Sequence, residues 1–177
     1  MAEDYKNKLL ILYRDHYRTL FNYGLKIIKD KEVVRDCIQD GFYNLWTDPS
    51  KLENVVVIKS YLIGILRNLI LKHIASNGKT DGLKDFNTFE ISIEDTLIDN
   101  ENKEATSQQL QRAISNLTPK QKEIIYLRFY EGLSYEEIEK ITNTNYQSVR
   151  NLLSKAIKNL RKYILNFILF FQIFLIL

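Results

Sequence analysis

At 177 residues the chain has room for one domain or two small ones, and its 45% hydrophobic content can support folded cores. Six glycines and two prolines leave too few turns for an all-β design. The formal charge of +3 is unevenly spread: Lys and Arg stand 12 to 9 against Asp and Glu over residues 1–75, 3 to 8 over 76–106 and 10 to 5 over 107–177.

The basic, acidic, basic order predicts two nucleic-acid-facing modules joined by a segment that avoids nucleic acid. Leu9, Leu12, Tyr13, Tyr17, Leu20, Phe21, Gly24, Leu25 and Ile28 recur at helical spacing, predicting a helix from about residue 5 to 29. A second helix is expected over Glu32–Trp46, with Val33, Val34, Cys37, Ile38, Phe42, Leu45 and Trp46 as its apolar stripe. Arg35, Asp36, Gln39, Asp40 and Asn44 lie opposite. Asp48-Pro49-Ser50 is a stop signal, and β-branched Val55–Ile58 has a strand-like look over four residues. A third helix is predicted from about Ile58 to Ala75, apolar at Tyr61, Leu62, Ile65, Leu66, Leu69, Ile70 and Ile74 and polar at Lys59, Arg67, Asn68 and Lys72. Three such stripes can bury one shared core.

Cys37 is alone, which excludes an intrachain disulfide and fits a reducing compartment. It reads as a small helix-face residue, and His16 and His73 lack the neighbours a metal site needs, so neither a cofactor nor a metal is expected. The N-terminus has no apolar signal core, and a cytoplasmic protein is expected.

From 76 to 106 the periodicity fails, and the acidic, Gly-punctuated stretch reads as a flexible linker with little core of its own. Helical pattern returns at Gln109, Leu110, Ala113, Ile114 and Leu117. Thr118-Pro119-Lys120-Gln121 then opens another helix, with a Thr cap, Pro at the first position and Gln at the third. Ile124, Ile125, Leu127 and Phe129 give its predicted buried face, and Gly132 ends it.

Ser134, with Glu137 three residues on, predicts a capping box, and Leu133 with Ile138 a hydrophobic staple. The short helix that follows breaks at Thr142-Asn143-Thr144-Asn145. Asn143 tolerates a left-handed turn, and Thr144 or Asn145 can cap the next helix. That helix is apolar at Val149, Leu152, Leu153, Ala156, Ile157 and Leu160, and its other face carries Gln147, Arg150, Asn151, Ser154, Lys155 and Lys158. No acidic residue follows Glu139. Two helices around a short turn, the second bearing cations and amides, have the layout of a helix-turn-helix that enters a DNA major groove. The remaining segment, 164–177, has two polar residues, Asn166 and Gln172, and as a helix would reach about 21 Å, short of a bilayer core. Lys158, Arg161 and Lys162 before it form a basic collar suited to anionic lipid headgroups, so membrane contact through the tail competes with burial against protein.

IQDGFYNLW (38–46), SYLIGILRNLIL (60–71) and LTPKQKEIIYLRFYEGLSYEEIEKITNTNYQSVRNLLSKAIKNLR (117–161) resemble an extracytoplasmic-function (ECF) sigma factor of bacterial RNA polymerase. The resemblance runs from about Leu9 to Lys162, apart from the linker, and its last motif is the most specific. It implies an all-α protein of two small helical bundles joined by a flexible acidic linker: residues 1–75 as sigma region 2, 76–106 as linker, 107–163 as region 4 and 164–177 as an apolar tail. It implies no catalytic activity. Asp36, Gln39, Asp40 and Phe42 match the family's pattern for docking on the clamp helices of the largest polymerase subunit. Asn68 matches a position that contacts a base flipped from the opened −10 element, where Lys59, Arg67 and Lys72 suit phosphates. Gln147, Arg150, Asn151, Ser154 and Lys155 would read the −35 element of promoter DNA.

The resemblance further implies an anti-sigma partner and a linker that threads the channel later filled by RNA. This chain departs from the family at Glu139, where a small residue usually lets two helices approach, so that the carboxylate must turn outward or the crossing must widen. It also departs at Asn143, in place of the usual turn Gly, and at Gly64, often basic. An autonomous helix-turn-helix regulator would use residues 1–75 for dimerisation or sensing, which the first module's basicity opposes. A nuclease would need more than Asp36 and Asp40 one helical turn apart.

Overall fold

The structure, a computed structural model, describes residues 2–76, 88–91 and 111–176, with side chains placed as far as residue 162. Its contacts divide the chain into two compact units, one built on Met1–Thr88 with Lys140–Asn143 and the other on Phe89–Glu139 and Thr144–Leu177. No strand occurs among the described residues.

In the first unit, α1 (Ala2–Ile27), α2 (Lys31–Thr47) and α3 (Ile58–Ser76) pack pairwise around one core. Asp30 starts α2, its Oδ1 accepting from the N–H groups of Glu32 and Val33 at 3.0 and 3.2 Å. Parts of the predicted stripes meet in the core, where Leu9 and Leu20 of α1, Val34, Ile38 and Leu45 of α2, and Leu62, Leu66 and Ile70 of α3 are buried. Tyr23, Ile27 and Ile63, which lie outside those stripes, are buried with them. Gly24 lets α1 and α2 approach, since a Cβ there would lie 2.6 Å from Val34 Cγ1. Tyr5 donates its hydroxyl to the Leu45 carbonyl at 2.6 Å, tying the start of α1 to the end of α2.

Two expectations fail at and just after the end of α2. Val55–Ile58 forms no strand: Val56 is 95% exposed in the loop and Ile58 already begins α3. A four-residue β-branched run finds no neighbouring strand to pair with in a three-helix bundle, and its backbone bonds instead to the turns on either side, as in Tyr61 N–H to the Val57 carbonyl. Trp46, placed on the buried stripe of α2, is half exposed, with the Lys6 ammonium 5.1 Å from its ring centre.

The second unit contains residues 89–91, a helical segment over 111–115, α4 (Pro119–Ile125), α5 (Tyr135–Thr142) as far as Glu139, and α6 (Tyr146–Ile176). Phe89 is buried, edge-on to Tyr126 with ring centres 5.8 Å apart, and Ile91 is buried too. The stretch expected to have little core of its own contributes two buried residues, since Phe89 and Ile91 gain by burial while Glu90 between them stays exposed. The rest of that stretch, including Glu94, Asp95, Asp99 and Glu101, lies outside the described residues.

Thr118 and Gln121 form the predicted reciprocal cap of α4. The chain then enters a π-helical turn, Tyr126–Tyr130, with Glu131 N–H donating to the Tyr126 carbonyl five residues back at 3.2 Å. This turn corrects the predicted face of the helix. Leu127 is fully buried, but Phe129 is 61% exposed, since the wider turn rotates later side chains off the α-helical stripe. Gly132 has φ +69°, ending the helix as expected.

Candidate nucleic-acid interface

The helix-turn-helix is built from local rules that its sequence obeys. Ser134 Oγ accepts from Glu137 N–H at 3.2 Å, and Glu137 Oε2 accepts from Ser134 N–H at 2.6 Å. Such a box is worth about 1 kcal/mol at a helix start. Leu133 and Ile138 are both buried on either side of the cap. Asn143 has φ 49°, the left-handed conformation the turn requires. Asn145 is the cap of α6, its Oδ1 accepting from Ser148 N–H at 2.8 Å.

Helix α6 buries Val149, Leu153 and Ala156, with Leu152 and Leu160 half-buried. Ile157, predicted on that face, is 38% exposed. Gln147, Arg150, Asn151, Ser154, Lys155 and Lys158 are all exposed. Gln147, Arg150, Asn151 and Ser154 line an open cleft of about 350 Å³ together with Tyr135, Leu153 and Ile157. Gln147 Nε2 donates to Asn151 Oδ1 at 3.2 Å, joining the two amides one turn apart.

Three residues at this site escape a reading by periodicity alone. Tyr135 meets Tyr146 edge-on with ring centres 5.7 Å apart. The Arg128 guanidinium lies 5.1 Å from the Tyr135 ring centre while donating to the Leu133 carbonyl at 2.7 Å. Arg150 stands 5.9 Å from the Tyr146 ring, so two rings meeting edge-on lie between two cations, from Arg128 of the π-turn to Arg150 on the exposed face of α6. Glu139 is the third. Its Oε1 accepts from Tyr146 N–H at 3.0 Å, so the carboxylate turns onto the start of α6.

In the first unit, Asp36, Gln39 and Asp40 are exposed along α2, and Tyr43 continues the same row. Phe42 is half-buried, edge-on to Tyr13 at 5.0 Å. Arg35 pairs with Glu32. Cys37 is buried, and its thiol is pushed up to about 11, first by burial and then by the charges of Asp40 and Asp36. On α3, Asn68 and Lys72 are exposed one turn apart, and Lys59 is half-buried and interacts within the protein. Arg67, expected on the open face, is instead 8% exposed and engaged inside the protein. Its aliphatic stem lets an arginine occupy a half-apolar helix face, which periodicity does not register.

Two helical units, with two helices around a left-handed turn and a cationic, amide-rich outer face on the later one, have the architecture expected of a DNA-binding protein. Residues 12–80 match the family Sigma-70 region 2, and residues 107–160 match Sigma-70, region 4. The chain belongs to the sigma-70 family, in its ECF group, whose members bind core RNA polymerase, direct it to promoters and are not enzymes.

RNA polymerase sigma factor SigV of Bacillus subtilis (strain 168) is 28% identical over 159 residues, covering 88% of this chain and 90% of SigV. ECF RNA polymerase sigma factor BldN of Streptomyces coelicolor is 30% identical over 108 residues, 58% of this chain and 39% of BldN. Among solved structures, the sigma factor RpoE in complex with the anti-sigma factor NepR from Bartonella quintana has the same fold. Its TM-score is 0.59 at 20% identity, covering 92% of this chain and 97% of the matched one.

Proposed function

We propose that this sigma factor works through three surfaces. Helix α6 reads the −35 element, with Gln147, Arg150 and Asn151 addressing base edges and Ser154, Lys155 and Lys158 the backbone. The observation that carries this reading is the exposure of all six on a helix that is capped, supported by α5 and free of acidic side chains through residue 162. Helix α3 engages the opened −10 element, Asn68 reading an unpaired base beside Lys72 and Lys59 on phosphates, while buried Arg67 acts as a positioning residue. Helix α2 docks on the clamp helices of the polymerase through Asp36, Gln39, Asp40 and Phe42.

These roles assign region 2 to residues 1–75, the linker to 76–106 and region 4 to 107–163. The protein has no catalytic activity of its own and acts in the cytoplasm. An anti-sigma factor is a partner, as in the complex of the sigma factor RpoE with the anti-sigma factor NepR. The test is run-off transcription by core polymerase with and without the full chain on genomic fragments. New start sites sharing two spaced elements are expected. Failure to bind core polymerase and to direct any start site would refute the reading.

A further inference from the structure

We propose that Glu139 is a specificity-determining positioning residue: its carboxylate occupies the N-terminus of α6 in place of a DNA phosphate. The inference rests on the reading of α6 as the −35 helix. The first backbone N–H groups of an α-helix have no partner within the helix and carry its positive dipole end, so they attract anions. In a recognition helix this end lies near the DNA backbone, where a free N–H would hold a phosphate without regard to sequence.

Here that place is filled from within the protein. Glu139 Oε1 accepts from Tyr146 N–H, at the first residue of α6, at 3.0 Å. Asn145 Oδ1 takes Ser148 N–H at 2.8 Å, so a second donor of the same turn is also satisfied internally. The Glu139 backbone carbonyl adds a third tie by accepting from Thr144 N–H at 3.3 Å. Glu139 is half-buried and Tyr146 is held edge-on by Tyr135, so the bond spans two fixed elements rather than two loose side chains.

Two consequences follow from the charge and the bond separately. The negative charge repels a phosphate at the helix end, lowering sequence-independent affinity. The bond anchors the start of α6 to α5 and fixes the register in which Gln147, Arg150 and Asn151 meet the bases. Glu139→Gln removes the charge but leaves an amide oxygen to accept the bond, whereas Glu139→Ala removes both.

The experiment uses holoenzyme assembled from core polymerase and the full chain. Its affinity is measured over a range of salt on a duplex with an intact −35 element and on one with that element scrambled. For Glu139→Gln both affinities should rise about three- to tenfold at low salt, as expected when a negative charge beside the DNA backbone is removed while the bond to Tyr146 N–H is kept. The slope of log K against log salt should steepen by about one, the signature of one more net positive charge facing the phosphates, with the intact-to-scrambled ratio unchanged. Glu139→Ala should show the steeper slope together with a reduced ratio.

Variants that only melt at a lower temperature, with slope and ratio as in the wild type, would reduce Glu139 to a structural cap and overturn the proposal. A wild-type holoenzyme that does not distinguish the two duplexes would instead refute the −35 reading of α6, and this inference with it.

Discussion

At the scale of single residues, Arg150 and Lys155 should separate the two ways a protein holds DNA. Arg150→Ala is expected to cost about 1–3 kcal/mol of discrimination at one base pair, the value of a bidentate contact. Lys155→Ala should weaken binding to all sequences alike and flatten its salt dependence. Promoter preference unchanged in Arg150→Ala would show that the reading face lies elsewhere. Cys37 offers a second residue-level outcome. A thiol raised to about 11 stays protonated in the folded state, while an ordinary thiol ionises near 9 once unfolded. Its stability contribution is therefore complete below about pH 9 and is lost as pH rises through about 11. At pH 8 alkylation of Cys37 should track global unfolding; rapid alkylation of the native protein would contradict the burial. Residue types and spacing made the six exposed α6 side chains legible in the sequence. Arg67 and Glu139 were not, because their places depend on what surrounds a helix face and on how a turn folds back, neither of which a period records.

At the scale of elements, the helices with explicit start signals were read most accurately. Thr118 with Gln121 and Ser134 with Glu137 each close a reciprocal cap, since a capping box is a contract between residues three apart and needs no tertiary context. The π-turn at Tyr126–Tyr130 was invisible for the opposite reason: its i→i+5 bonding leaves no signature in composition, and it moved Phe129 from core to surface. Helix α2 has one buried face and, opposite it, the proposed docking face. Val34, Ile38 and Leu45 are buried, while Asp36, Gln39 and Asp40 face solvent. Asp40→Arg should weaken core binding by about 2 kcal/mol through charge reversal at the interface, and Gln39→Ala should weaken it less. Slow alkylation of Cys37, one turn from Asp40, checks that each variant keeps its fold. Unchanged affinity in a direct titration with core polymerase would remove Asp36, Gln39 and Asp40 from the docking surface.

At the scale of the whole molecule, α6 joins the proposed DNA-reading face and the apolar segment into one helix. Its backbone runs unbroken from Tyr146 to Ile176, 31 residues, or about 46 Å at 1.5 Å per residue. The sequence foretold both halves by composition but not their continuity, since no Gly or Pro separates them and no rule requires a break where character changes. No helix among the described residues is long and apolar enough to cross a membrane. The apolar stretch 164–176 accounts for about 20 Å of α6, against roughly 30 Å of hydrocarbon core. An interfacial helix would need a polar face, and Asn166 and Gln172 are too few to make one. Left in water, such a stretch would invite association. Burial against protein, within this chain or against a partner, is therefore the expected fate. Truncation after Tyr163 tests it by measuring solubility, thermal stability and membrane fractionation together. The full-length protein should stay out of the membrane pellet, and the truncated form should melt several degrees lower or lose a bound partner. A truncated protein of equal stability, with the full-length form in the membrane pellet, would assign the segment to lipid, with Lys158, Arg161 and Lys162 at the headgroups.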